Sequence, residues 1–257
     1  MATPRRGPTS YQLNKMENWN NYNQNGYQTA VQAENEWALQ RYVSSVMRRV
    51  YGKMSLGLLL TAICSFLMVM NPALVNILFS IRPMIFILFA VEIGLVIYLN
   101  ARIEKMSNAT ASAMFYLYSA LNGIVLAPIF SFYTSTSIAL TFAITAGTFG
   151  AMTIAGYVTK KDLSKFGTFL FMGLIGLIIC SLVNLFMHNS MMDWCISIAG
   201  VVIFVGLTAW DTQVIKRMCA ESDSTMVSKV ATLGALRLYL DFINLFLHLL
   251  RILGNRN

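Results

Sequence analysis

Residues 166–187, from Phe166 to Met187, read FGTFLFMGLIGLIICSLVNLFM. No residue in this run carries a charge. Wound as an α-helix rising 1.5 Å per residue, it is about 33 Å long, enough to cross a bilayer's hydrocarbon core of about 30 Å. Apolar and polar residues do not alternate, as they would in a membrane β-strand. Six more blocks of this kind lie near 54–75, 83–101, 109–131, 136–158, 194–215 and 231–253. Punctuation marks several of them. Asn71-Pro72 falls at the end of the first, Arg82-Pro83 opens the second, and Lys160-Lys161-Asp162 closes the fourth. Seven spans in an all-α membrane protein are therefore expected.

Composition agrees. Of 257 residues, 56% are hydrophobic and only 12% charged, half the charged fraction usual in soluble domains. That excludes a disordered chain, a nucleic-acid-binding domain and an ordinary cytosolic enzyme. The net charge of +8 reads as topology. With the N-terminus inside, the inner segments hold Arg5, Arg6, Lys15, Arg41, Arg48, Arg49 and Lys53, then Arg102 and Lys105, then Lys160, Lys161 and Lys165, then Lys216, Arg217 and Lys229. The outer segments hold only Arg82, Arg251 and Arg256. Cytoplasmic loops collect Lys and Arg, so the C-terminus is expected outside.

Residues 1–45 precede the spans. Asn14, Asn18, Asn20, Asn21, Asn23 and Asn25 give this segment the composition of a disordered cytoplasmic tail; residues 46–257 form the transmembrane domain. No hydrophobic signal core is seen before residue 53. Glu34 to Lys53 can form an amphipathic helix feeding the first span, with basic residues suited to an anionic membrane surface. Cys64, Cys180, Cys195 and Cys219 make no CxxC pair and read as buried free thiols. There is no P-loop and no glycine-rich dinucleotide loop, so no cofactor is expected.

Within the fourth span, Ala139, Ala143, Gly147, Ala151 and Ala155 recur every four residues. Such a small-residue stripe lets a neighbouring helix approach closely, and a packing surface is expected there. Pro128 is expected to kink the third span. Three acids lie inside spans: Glu92 in the second, Asp211 in the sixth and Asp241 in the seventh. An intramembrane acid is costly and needs a partner or a function. The sixth and seventh spans are sequential and antiparallel, so their inner halves can meet. Two carboxylates brought together share a proton and titrate as a pair, and ionised they are hard oxygen ligands for Ca²⁺. The bland alternative has each aspartate bonded to a polar neighbour: Thr212 and Gln213 for Asp211, Arg237 and Asn244 for Asp241. Asn244 and His248 share the Asp241 face, at i+3 and i+7. Both are ion-pathway candidates with Glu92, although a lone histidine among Leu and Phe is more often a core residue.

Three stretches together resemble one family. They run from Gly147-Thr148-Phe149-Gly150 to Lys160-Lys161-Asp162-Leu163-Ser164, through Asp211-Thr212-Gln213, and through Leu238-Tyr239-Leu240-Asp241-Phe242-Ile243-Asn244-Leu245-Phe246 with Leu249-Leu250-Arg251. They resemble the Bax inhibitor-1 family of membrane proteins, in its bacterial branch, over roughly residues 45 to 254. The resemblance implies a seven-helix bundle with the last helix central, in the bacterial inner membrane. It implies a pH-sensitive Ca²⁺ leak, not an enzyme, with Asp211 and Asp241 as sensor, gate and Ca²⁺ ligands. It also implies a basic latch near the inner end of the second helix, for which Arg102 is the candidate. The family pattern has a small residue where this chain has Arg237, a cation one turn from Asp241 and a possible counter-ion.

The expected mechanism is a two-state gate. Arg102 bonds the ionised or singly protonated pair and the second helix closes the inner mouth; protonation weakens the latch and favours opening. The expected partners are the lipid bilayer, Ca²⁺ and protons, with no nucleic acid. The alternative is a regulatory membrane partner that modulates a membrane-bound protease without transport of its own. An intramembrane aspartyl protease is disfavoured because Asp241 follows Leu238-Tyr239-Leu240 rather than a Gly-x-Gly motif. A proton-coupled transporter is disfavoured because no inverted repeat is apparent.

Overall fold

The computed structural model describes residues 10–71, 73, 75–76, 82–222 and 226–256, with side chains from 32 onward except those of 33, 82 and 83. Arg5, Arg6 and the side chains of Lys15 and Arg82, used in the charge count above, lie outside the described residues. The helices are α1 (Ser10–Val69), α2 (Arg82–Arg102), α3 (Asn108–Phe132), α4 (Ser135–Val158), α5 (Ser164–Met187), α6 (Ser190–Glu221) and α7 (Val227–Leu253), with a short 3₁₀ turn at Ile103–Lys105. No strand occurs among the described residues. All seven helices are long and apolar enough to cross a membrane, the first within Glu34–Val69. The protein is an all-α membrane protein of seven spans.

The chain divides into two units, residues 1–45 and 46–257. In the first, the backbone is helical from Ser10, where the composition suggests an unstructured tail. No proline lies between Pro8 and Pro72 to interrupt the hydrogen-bond ladder.

In the second unit the helix ends are set by local chemistry. Ser107 caps α3 by accepting from Thr110 N at 3.1 Å, and Thr134 caps α4 by accepting from Ser137 N at 3.2 Å. Asn189 caps α6 by accepting from the amides of Met191 and Met192. Each satisfies donors that the first helical turn leaves free. α5 ends at His188, whose φ of 51° turns the chain sharply into α6. α6 is longer than a bilayer crossing requires, and its final turns continue past the expected end at 215.

α7 is the centre of the bundle. Of its apolar window 72% is buried inside the protein, against 11–44% for the other spans. α6 and α7 form the most extensive helix pair, and α4 packs on both. The outer faces are hydrocarbon: Phe169, Phe186 and Val202 are exposed, as a lipid solvent allows. Close approaches use glycine. A Cβ on Gly123 of α3 would stand 2.5 Å from the Thr61 carbonyl of α1, and one on Gly156 of α4 would strike the Ala209 backbone of α6.

Two expectations are corrected here. The α4 stripe Ala139, Ala143, Gly147, Ala151 and Ala155 is exposed throughout, and nothing lies within 4 Å of a Cβ on Gly147. The buried face carries Ser137, Thr141, Thr145, Phe149 and Gly156 instead. Hydroxyls can face the core because they bond their own helix, as Thr145 Oγ1 does to Thr141 O at 2.7 Å. The thiols are all free, but only Cys219 is buried; Cys64 is half-buried, and Cys180 and Cys195 are exposed. Hydrocarbon accommodates a thiol as readily as the protein interior does.

Candidate functional site: an acidic cavity beside the central helix

Helical periodicity puts Arg237, Asp241, Asn244 and His248 on one face of α7. That face borders a cavity of about 800 Å³. Glu92 enters it from α2, Tyr118 from α3, Trp210 and Asp211 from α6, and α5 closes it with Leu and Ile side chains. The structure thus brings together six of the residues singled out by sequence: Glu92, Asp211, Arg237, Asp241, Asn244 and His248.

Asp211 is 7% exposed and accepts a hydrogen bond from Arg237 Nη1 at 3.0 Å. The guanidinium pairs with the aspartate of the neighbouring helix, not with Asp241 one turn along its own. Asp241 is 4% exposed, and its Oδ2 has no hydrogen-bond partner. The Asp241 carboxyl lies within electrostatic reach of both Asp211 and Arg237. Asp211 thus bonds a polar neighbour, but not the ones named from sequence: Thr212 Oγ1 donates to Thr208 O, and Asn244 Nδ2 donates to Leu240 O. Gln213 is engaged in the α4–α5 loop, accepting from Leu163 N at 2.9 Å and donating to Lys161 O at 2.8 Å.

Glu92 is buried, with Oε1 unpartnered and the side chain of Asn122 beside it. Asn122 Oδ1 accepts from the Tyr239 hydroxyl at 3.2 Å, and that oxygen meets Thr61 Oγ1 at 2.6 Å. A polar chain therefore runs from α1 through α7 and α3 to Glu92 on α2. Sequence reasoning missed it. Tyr239 lay in view inside the quoted motif, but Asn122 and Thr61 are uncharged and give no signal among other intramembrane polar residues. His248 stacks on Phe204, with centroids 5.7 Å apart and planes at 26°, and its Nδ1 is unpartnered.

Arg102 is placed elsewhere. It ends α2, is exposed, borders no part of the cavity, and makes no ion pair with a described residue. Among the described residues no three His, Cys, Asp or Glu side chains gather as a metal-binding group. Asp211 and Asp241 alone supply too few oxygens for Ca²⁺, which takes six to eight. Outside the spans, Asp162 accepts from Ser164 N at 3.0 Å. Hydrogen bonding by the Ser164 side chain and backbone, assisted by Arg217, holds its carboxyl below the usual aspartate range.

These features define a class: a multi-pass helical membrane protein whose central helix borders a cavity lined by buried acidic side chains. The chain belongs to the Bax inhibitor-1 family, whose model, described as inhibitor of apoptosis-promoting Bax1, matches residues 43–257. It is similar to the inner membrane protein YbhL of Escherichia coli, 48% identical over 217 residues, 83% of this chain and 93% of that protein. It is also similar to an uncharacterized protein of Borreliella burgdorferi, 46% identical over 212 residues, 82% of this chain and 91% of that one. A third relative is protein RP147 of Rickettsia prowazekii, 43% identical over 219 residues, 85% and 91% of the two chains.

Proposed function

We propose that this protein is a pH-sensitive Ca²⁺ leak of the inner membrane, gated by Asp211 and Asp241. The observation that carries the reading is the Asp211–Arg237 ion pair beside Asp241, whose Oδ2 is unpartnered, in one intramembrane cavity. A charge pair between the two most closely packed helices has two states: closed while Asp211 is ionised, loosened when it takes a proton. The other charged or titratable groups facing the pair are Glu92 on α2, Tyr118 on α3 and His248 on α7; α5 presents none. Acid therefore favours opening, because protonation removes the charge that Arg237 holds. Ca²⁺ is cargo, passed between carboxylates and backbone carbonyls. A latch role for Arg102 requires a second arrangement of α2 that carries its end to the pair.

The test is Ca²⁺ flux into liposomes holding the purified protein, between pH 8 and pH 5. Wild type is expected to leak faster as pH falls, and Asp211→Asn and Asp241→Asn to flatten that dependence. If no sample passes Ca²⁺ above empty liposomes, the channel reading fails and regulation of a membrane-bound protease takes its place.

A further inference from the structure

We propose that the cavity beside α7 is a binding site for a lipophilic organic ammonium ion, a small molecule with one cationic head and an apolar body. Charge is the first argument. Glu92, Asp211 and Asp241 face the space, and among the described residues Arg237 is the only arginine or lysine bordering it. The second is unmet hydrogen bonding. Glu92 is 6% exposed and Asp241 4%, yet Glu92 Oε1 and Asp241 Oδ2 have no donor. Buried acceptors are almost always partnered in folded proteins, and an ammonium carries N–H donors and a matching charge.

The rest of the cavity suits a hydrocarbon body. Most of its remaining wall is aliphatic, from Ile93 on α2 to Leu182 on α5. Such walls give nothing to a hydrated metal ion but gain from burying an alkyl chain. At about 800 Å³, the space has the size of a small-molecule site. Trp210 borders it, and an aromatic face attracts a cation. Access is lateral: Ile93 and Leu182 are 60% and 56% exposed, so this wall meets the acyl chains of the bilayer. A membrane-soluble amine enters from the lipid, head first.

The probe is radiolabelled decylammonium, bound to the full chain in lipid nanodiscs and corrected for empty nanodiscs. Saturable binding is expected, with neither decanol nor decyl sulfate competing. The double variant Glu92→Gln, Asp241→Asn should weaken binding about tenfold or more, as expected for lost hydrogen bonds to charged groups. Leu177→Trp, which fills the apolar wall and leaves every charge in place, should weaken it as well. Equal competition by decanol overturns the proposal. So does unchanged affinity in the carboxamide variant, or in Leu177→Trp once its thermal unfolding matches wild type. The inference does not rest on Ca²⁺ conduction: binding without Ca²⁺ flux leaves this site standing and removes the leak, and flux without binding does the reverse.

Discussion

Arg237 reaches Asp211 from a side chain that is 38% exposed, whereas the side chain of Asp211 is only 10% exposed. The pair is neither a free surface contact, worth under about 1 kcal/mol, nor a fully buried one, where loss of one partner costs about 3–5 kcal/mol. Arg237→Met should destabilise the protein by an intermediate amount, about 2 kcal/mol, because it strands a buried carboxylate. Adding Asp211→Asn should recover most of that loss. Thermal unfolding of the singles and the double in detergent reads the coupling, and strictly additive losses would mean that the pair does not hold α6 to α7. At Asp162 the sign follows from the carboxyl being held below its usual range. Whatever it contributes is present above the unfolded value near 3.9 and lost as pH falls through the lower folded value. Hydrogen exchange of the Ser164 amide should be faster in Asp162→Asn than in wild type at neutral pH, with the difference gone once pH falls below the depressed folded value.

The α4–α5 loop is tied to α6 by Gln213 and by Arg217, which reaches Ser164 Oγ at 2.9 Å and Asp162 at 3.4 Å. This explains why the two residues after Asp211 do not bond it: Gln213 holds a loop and Thr212 its own helix. Gln213→Ala removes a buried amide bonded to Leu163, Lys161, Thr159 and Arg217 and should cost about 1–3 kcal/mol, visible as faster trypsin cleavage at Lys160 and Lys161. The face of α4 supplies a contrast. Gly156→Leu should collapse thermal stability, since any Cβ there meets the Ala209 backbone, whereas Gly147→Leu should be tolerated because nothing is near. Small residues marked a stripe on this helix but not the face that packs. In a membrane, lipid and core are both apolar, so hydrophobicity does not tell one side of a span from the other. The five helices from α2 to α5 and α7 begin and end within a few residues of the expected spans, because bilayer thickness and flanking punctuation fix length.

At the scale of the molecule, alternating spans put Lys161 and Ser190 at opposite ends of α5. In a background with the four cysteines replaced by serine, Ser190→Cys should react with an impermeant maleimide on intact spheroplasts. Lys161→Cys should react only in inverted vesicles. The reverse pattern would overturn the orientation inferred from the Lys and Arg distribution. The central position of α7 makes it the axis of both polar systems: Arg237 and Asp241 on one face, and Tyr239 bonded toward Thr61 and Asn122 on another. A shift of α7 would alter the two together.

The sequence by itself determined the class, the number of spans, the limits of five of them and the three carboxylates within them. Each of these is written along one dimension: a run long enough for the bilayer, or a charge where hydrocarbon should be. It also marked the residues that meet in the cavity, since α7 displays four of them at helical spacing. Only the tertiary structure decided who pairs with whom. Arg237 could bond Asp241 on its own helix or Asp211 across the interface, and the rotation of α6 against α7 chose the second. The same rotations turned the Ser and Thr face of α4 inward, left Arg102 away from the acids, and joined Thr61, Asn122 and Tyr239 from three distant segments. Helix rotation in a bilayer is set by packing between apolar faces, and no single span records the shape of its neighbours.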